Sequence, residues 1–181
     1  MSDLRVYVAD LAAYNEGRLL GRWFDLADYA GDAEGLNDDI DAMLAENGRG
    51  DEWAIHDYDG AFPLEIRSSE NPSLDGLAEY AEAVAEVERD MGMSDATRLV
   101  AAYLDEIGGD ICNVAQNIAE NYRGTYDSLA EFAEELTEDT SEIPDHLQYY
   151  IDWDKMGRDM EIGGDITSVN IGGELHIFWN H

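Results

Sequence analysis

Apolar side chains recur at helical spacing inside the most acidic stretch of the chain. The segment "SLAEFAEELTEDTSE" (residues 128–142) contains six carboxylates and no lysine or arginine. Its apolar positions follow i, i+3, i+4 and i+7, which is one face of a helix: Leu129, Phe132, Ala133 and Leu136. Ser128 followed by Glu131 is typical of a capping box, which predicts that the helix begins near Ser128.

The carboxylates of this segment lie mainly on the opposite face of the predicted helix. Near its C-terminal end, Glu138, Asp139 and Glu142 stand where the helix dipole and their neighbours disfavour negative charge. Something other than helix stability therefore favours them. A solvated helix face is the ordinary explanation of a charge run, and the segment alone does not exclude it.

The charge bias extends over the whole chain. Its 42 Asp and Glu residues against 10 Lys and Arg give a formal net charge of -32. Such a chain repels nucleic acid and anionic membrane surfaces, so its partner should be basic. Because 45% of the residues are hydrophobic, we expect a folded protein despite the charge.

Cysteine usage and hydropathy give further expectations. A single cysteine excludes an internal disulfide framework, and Cys112 follows the helical pattern of its neighbours, which predicts a buried structural thiol. The N-terminal residues lack the pattern of a signal peptide, and no apolar run is long enough to cross a membrane. We therefore expect a soluble, cytoplasmic protein.

The order of the patterns predicts an α+β fold. The first sixty residues contain one predicted helix, "AEGLNDDIDAMLAE", and three strand-like segments, "RVYVADL", "RLLGRWFDL" and "EWAIHDY". The stretch that follows, "AFPLEIRSSENPS", has the composition of a connector. Helical periodicity then dominates, and a hairpin around Gly172-Gly173 ends the chain. We predict an elongated chain with an N-terminal α+β domain (1–61), a helical middle domain (62–124) and a C-terminal α+β domain (125–181).

The helical middle begins with a second acidic helix. In "SLDGLAEYAEAVAEVERDMG" the apolar stripe comprises Leu74, Leu77, Ala81 and Val84. A separate stripe at helical spacing comprises Asp75, Glu79, Glu82 and Glu86. Two more helices are predicted, from about Asp95 to Ile107 and from about Asp110 to Tyr122.

No pattern of catalytic or metal-binding residues emerges. "DWDKMGRDMEIG" resembles a calcium loop at first, but Met156 and Gly163 occupy positions that need oxygen ligands. The histidines are scattered without zinc-ligand spacing, and neither a phosphate-binding loop nor a nucleophile motif is present. We therefore expect a protein that is not an enzyme and that needs no metal or cofactor.

Rows of carboxylates on helices imitate the charge of DNA, which carries one charge per about 1.7 Å of axis. At that density, 32 charges would cover about 54 Å, whereas a compact chain of this length has a radius of gyration of about 16 Å. An elongated shape would therefore suit a DNA mimic better than a compact one.

Four stretches of the chain carry a family resemblance: "RVYVADLAAYNEGRLLGRWFDL", "EWAIHDYDG", "YDSLAEFAEELTEDTSEIPDHLQYYIDWDKMGRDMEIGGDI" and "HIFWN". They resemble the ArdA antirestriction proteins, which conjugative plasmids, transposons and phages carry. Within the third stretch, "LQYYIDWDKMGRDMEIGGD" is similar to the family's antirestriction motif. The resemblance implies a homodimer of elongated α+β monomers. It also implies a DNA mimic that occupies the DNA-binding groove of type I restriction-modification enzymes.

These observations predict a partner-binding carboxylate surface and no direct contact with nucleic acid or membrane. A salt-adapted protein of other function and an acidic chaperone for a basic protein remain alternatives. The predicted carboxylate surface comprises Asp75, Glu79, Glu82, Glu86, Glu131, Glu134, Glu135, Glu138, Asp139, Glu142, Asp145, Asp152, Asp154, Asp159, Glu161 and Asp165.

Overall fold

The computed structural model describes residues 4–48, 52–69 and 72–180. The chain divides into two compact units, Met1–Ala119 and Glu120–His181. Each unit combines helices with a three-stranded antiparallel sheet, which confirms the predicted α+β class. The predicted division into three domains and the elongated shape stay predictions.

The sheet of the first unit contains strands β1 (Arg5–Asp10), β2 (Gly21–Asp25) and β3 (Trp53–Asp59) in the order β2-β1-β3. All three strand-like segments of the sequence therefore form strands. Because side chains alternate along a strand, Val6 and Val8 lie on the same face of the central strand, and both are fully buried. A 3-10 turn from Leu26 to Tyr29 follows β2.

In chain order the helices of the first unit are α1 (Leu11–Asn15), α2 (Ala33–Asn47), α3 (Leu64–Ser68), α4 (Leu74–Met91), α5 (Ala96–Glu106) and α6 (Ile111–Asn121), whose last two residues belong to the second unit. The four predicted helices of this part of the chain, α2, α4, α5 and α6, form in the predicted order, whereas α1 and α3 were not predicted. Helix α2 packs against β1, the 3-10 turn and α4, and α4 also packs against α5. The residues of α2 that are buried confirm its predicted face: Leu36, Ile40, Met43 and Leu44.

Helix α4 buries most of its predicted stripe. Leu77, Ala81 and Val84 are buried, whereas Leu74 in the first turn is half-buried. Tyr80 is also fully buried, and its hydroxyl donates a 2.8 Å hydrogen bond to the Ala61 carbonyl oxygen. This bond satisfies a polar group in the core that would otherwise destabilise the fold.

The second unit contains three strands and three helices among its described residues. The strands pair in the order β4-β6-β5, so that β6 is central, and α7 packs against α9 and β4. In chain order the elements are β4 (Tyr122–Tyr126), α7 (Leu129–Thr140), α8 (Asp145–Gln148), α9 (Trp153–Gly163), β5 (Ile166–Ile171) and β6 (Glu174–Trp179).

The core of the second unit joins α7 to the C-terminal hairpin. Phe132 of α7 packs with Ile166 of β5 and Ile177 of β6, and all three are at most 2% exposed. Partly buried side chains surround this cluster: Tyr126, Leu129, Leu136, Met160, Leu175 and Trp179. Both the predicted helix and the predicted hairpin are confirmed, whereas β4 was not predicted.

Two interpretations of the sequence are wrong. Cys112 is exposed, because it projects from α6 beside the face that buries Val114, Ala115 and Ile118. The connector contains a helix, α3, because Phe62 and Ile66 bury their side chains in the core. Residues 70 and 71 of this connector lie outside the described part of the chain.

Gly157 of α9 lies against the first residue of α7, Leu129. A Cβ atom at this position would lie 2.4 Å from the Leu129 carbonyl oxygen and 2.8 Å from the Leu129 Cβ atom. Both distances are far below van der Waals contact, so only glycine allows the two helices to pack this closely. The glycine that occupies position 6 of the calcium-loop-like stretch thus has a packing role.

We expect Gly157→Ala to lower the free energy of unfolding by about 1 to 3 kcal/mol, because the added methyl group forces α9 away from α7. Thermal melts followed by circular dichroism measure this change. Gly163→Ala in the same helix is the control, since its Cβ atom would meet only the Asp165 carboxylate, at 3.7 Å. Equal melting temperatures for the two variants would contradict the packing role of Gly157.

Candidate functional site

The predicted carboxylate surface is largely open to solvent. Glu86 and Glu161 are half-buried, and the other members of the set are exposed. Four members lie on α4 in the first unit, and the others belong to the second unit. The structure therefore presents two groups of carboxylates, one in each unit.

The carboxylates of α4 form a row along the outer side of the helix. Asp75 and Glu86 are eleven residues apart, which corresponds to about 16 Å of helix axis at 1.5 Å per residue. With Glu79 and Glu82 between them, the mean axial interval is about 5.5 Å. The same helix buries its apolar side chains, so packing holds the row on a fixed backbone.

The carboxylates of α7 are more closely spaced. Glu131 and Glu138 are seven residues apart, or about 10 Å of axis, and Glu134 and Glu135 lie between them. Their mean axial interval is about 3.5 Å, close to the roughly 3.4 Å per charge of one DNA strand. Helix α7 therefore carries charge at the linear density of a nucleic acid strand.

The start of α7 is fixed by hydrogen bonds that involve its own acids. The Ser128 hydroxyl oxygen accepts a bond from the Glu131 backbone N–H at 3.1 Å, which confirms the predicted helix start. The Glu131 carboxylate in turn accepts from the Asp127 backbone N–H at 2.7 Å. These reciprocal bonds restrict the Glu131 side chain to one orientation.

Tyr126 orients a second carboxylate of the row. Its hydroxyl donates a 3.1 Å hydrogen bond to Glu135, and its ring packs against Phe132 with the ring centres 5.1 Å apart. Burial, followed by the hydrogen bond and charge of Glu135 and by the charges of Glu131 and Asp139, raises the pKa of Tyr126 to about 12. Burial is the largest cause of the raised pKa, and the nearby carboxylates of α7 raise it further.

The C-terminal part of the surface is built around α9. Asp152 caps the helix by accepting a 2.9 Å hydrogen bond from the Lys155 backbone N–H, and Asp154 lies in the first turn. Glu161 in the last turns accepts a hydrogen bond from the Ser168 hydroxyl group of β5. Asp159 is exposed between them. Because α9 packs against α7, these residues share one unit with the α7 row.

Salt bridges between arginine and acidic side chains are unevenly distributed among the described residues. Salt bridges link Arg5 to Asp59, Arg22 to Glu46 and other pairs, all of them within the first unit. In the described part of the chain, no salt bridge neutralises a carboxylate of α7.

The stretch that resembles a calcium loop folds as the N-cap and body of α9. Across residues 4–48, 52–69 and 72–180, no group of three His, Cys, Asp or Glu side chains is arranged to hold a metal ion. Over the same ranges, no helix combines the length and apolar character needed to cross a membrane.

Sequence analysis missed three residues that shape this surface. Tyr126 and Asp127 orient the row from the end of β4, and their role depends on a strand that the sequence pattern does not predict. Asp90 extends the α4 row by one turn, since it follows Glu86 at i+4. The spacing of Asp90 was visible in the sequence.

The fold and the site define a folded acidic α+β protein whose candidate site is a surface of helix-borne carboxylates. The sequence model of one family, described as antirestriction protein (ArdA), matches residues 6–174. The chain belongs to this family, and the family assigns it an antirestriction function. A comparison with curated proteins finds no match.

Proposed function

We propose that the protein is a stoichiometric inhibitor that mimics DNA and occupies the DNA-binding groove of type I restriction-modification enzymes. The observation that carries the proposal is the α7 row, whose carboxylates match the linear charge density of a DNA strand. A groove built for phosphates contains basic groups, which attract such a row.

The proposed mechanism is competition. Carboxylates of the surface take positions that DNA phosphates occupy, and the basic groove remains filled while the inhibitor is bound. No bond is made or broken, and neither metal nor cofactor takes part, so the protein does not act as an enzyme. The family resemblance also supports a homodimer that acts in the cytoplasm, where the restriction enzyme meets its DNA.

The two alternatives account less well for the α7 row. A salt-adapted protein needs acidic residues on its surface but no particular spacing, whereas the mean axial interval of these four acids is close to that of the charges on a DNA strand. An acidic chaperone would use flexible tails, whereas these acids stand on a helix with a buried opposite face. Retention of the fold at low salt would argue against salt adaptation.

A titration of restriction activity tests the proposal. Inhibitor is added to a type I enzyme at a concentration well above the dissociation constant, and the remaining DNA cleavage is measured. We expect cleavage activity to reach zero at a fixed ratio of inhibitor to enzyme. The inhibitor itself should require neither a metal nor a nucleotide. One inhibitor molecule that disables many enzyme molecules would show turnover and overturn the proposal.

Salt should weaken the complex steeply. We expect the affinity for the methyltransferase core to fall between low and physiological salt, because ions screen exposed charges. The slope should be shallower than that of DNA, since a folded acidic surface condenses counterions less completely than a duplex does. Binding measured by fluorescence anisotropy at several salt concentrations, with DNA as the reference ligand, tests this. An affinity independent of salt would indicate an uncharged interface.

A further inference from the structure

At the C-terminal end of α4, the carboxylate row borders a groove between α4 and α6. The groove has a volume of about 260 Å³ and lies entirely within the first unit. Glu86 and Asp90 line one side of it. Gln116 and four apolar side chains line the rest: Val87, Met91, Ala115 and Ala119. The α4 row thus ends beside a concave, mostly apolar surface. A row of DNA phosphates has no such surface beside it.

The two acids of the groove already converge on one guanidinium group. The Arg89 Nε atom lies 2.8 Å from an Asp90 carboxylate oxygen, and its Nη2 atom lies 3.9 Å from a Glu86 carboxylate oxygen. The Arg89 side chain is 65% exposed, so this ion pair is screened by water and is readily exchanged. Glu86 and Asp90 can therefore bind one guanidinium group together, and both of them line the groove, although Arg89 itself does not.

We propose that the groove receives an arginine or lysine side chain of the basic partner. The aliphatic stem of that side chain lies on Val87, Ala115 and Ala119, and its cationic group replaces Arg89 between Glu86 and Asp90. Long basic side chains commonly bury their stems on apolar surface while the charged end stays in a polar environment. The proposal that the groove binds the restriction enzyme rests on the proposed function. The proposal that the groove binds an alkylated cation does not depend on that function.

A small cation tests the groove without the enzyme. Methyl NMR spectra of the protein are recorded during titration with n-butylguanidinium or with guanidinium at equal ionic strength. We expect n-butylguanidinium to shift the methyl signals of Val87, Ala115 and Ala119 at several-fold lower concentration than guanidinium does. Equal responses to the two cations, or shifts spread over both units, would overturn the proposal.

A variant that fills the groove tests the site, and the same substitution outside the groove is its matched control. Ala119→Leu adds apolar volume from α6 without changing charge, and Ala119 is exposed, so the core does not have to accommodate the larger side chain. We expect this variant to lose at least three-fold in n-butylguanidinium affinity. Ala85→Leu places the same change on an exposed position of α4 that does not line the groove, and it should bind like the wild type.

The same variants separate the groove from DNA mimicry in enzyme binding. Ala119→Leu should weaken binding to a type I methyltransferase at least three-fold, and Ala85→Leu should not. Arg89→Ala should strengthen binding, because the partner's cation no longer has to replace Arg89. Arg98→Ala is the control, since it also removes one positive charge, from an exposed pair with Asp95, and it should strengthen binding less. If each variant matched its control, the groove would be excluded and mimicry would stand. If the wild type did not bind, mimicry would fail, and the NMR titration would still decide the groove.

Discussion

Replacing Phe132 by alanine is expected to lower the free energy of unfolding by about 3 to 5 kcal/mol. The ring is 2% exposed and packs with Ile166 and Ile177. It also makes edge contacts with Tyr126 and Trp179, whose ring centres lie 5.1 and 5.8 Å away. Truncation leaves a cavity among groups from α7, β4 and the hairpin, which all lie within one unit.

Chemical denaturation monitored by circular dichroism measures the effect of Phe132→Ala. Leu147→Ala in α8 is the control, because Leu147 is 45% exposed and its loss should change stability by no more than about 0.5 kcal/mol. Under conditions at which the second unit of Phe132→Ala is unfolded, we expect the variant to lose its inhibition of the restriction enzyme. A variant that is as stable as the wild type would show that this cluster does not hold α7 in place.

Neutralising the α7 row is expected to weaken inhibition progressively while the helix stays folded. Each exposed carboxylate should contribute on the order of 1 kcal/mol or less, so four together change the affinity by up to about three orders of magnitude. Glu131→Gln and Glu135→Gln singly should have small effects, since glutamine can still accept the hydrogen bonds from Asp127 and Tyr126. The full variant replaces Glu131, Glu134, Glu135 and Glu138.

Competition binding and thermal melts on the same proteins test this prediction. The melting temperature of the four-fold variant should stay level or rise, because like charges at i+3 and i+4 repel each other. The control replaces four acids of α2 that lie outside the predicted surface, namely Glu34, Asp38, Asp39 and Asp41, and should retain most of the inhibition. A single Glu→Gln change that abolishes binding without altering the melt would indicate a specific site in place of a distributed one.

The periodicity of apolar residues predicted those helices whose buried face is visible in their own sequence. The faces of α2 and α7 repeat at 3.6 residues, so the sequence alone identifies Ile40 and Phe132 as core residues. Cys112 shows the limit of this reasoning. The apolar face of α6 is narrower than its run of small and apolar residues indicates, and neighbours in the fold decide which positions are covered.

Features that depend on distant residues were not predictable. Strand β4 is only five residues long, and Gly124 interrupts its pattern, yet Tyr122 pairs with Phe178 of β6 fifty-six residues later. The need for glycine at position 157 arises from Leu129 on another helix. The positions of the α4 and α7 carboxylates followed from helical spacing, whereas the groups that orient Glu131 and Glu135 come from the unpredicted strand and its end.

The two faces of α7 are subject to different evolutionary constraints. Inward positions such as Phe132 and Ala133 have to keep both volume and shape, because they are almost fully buried. In the proposed mechanism, outward positions such as Glu134 and Glu138 need only a negative charge at an approximate place. Glutamate and aspartate should therefore exchange freely at outward positions among homologues, while the inward positions vary little. A lineage can thus adjust its surface to a changing target enzyme without losing its fold.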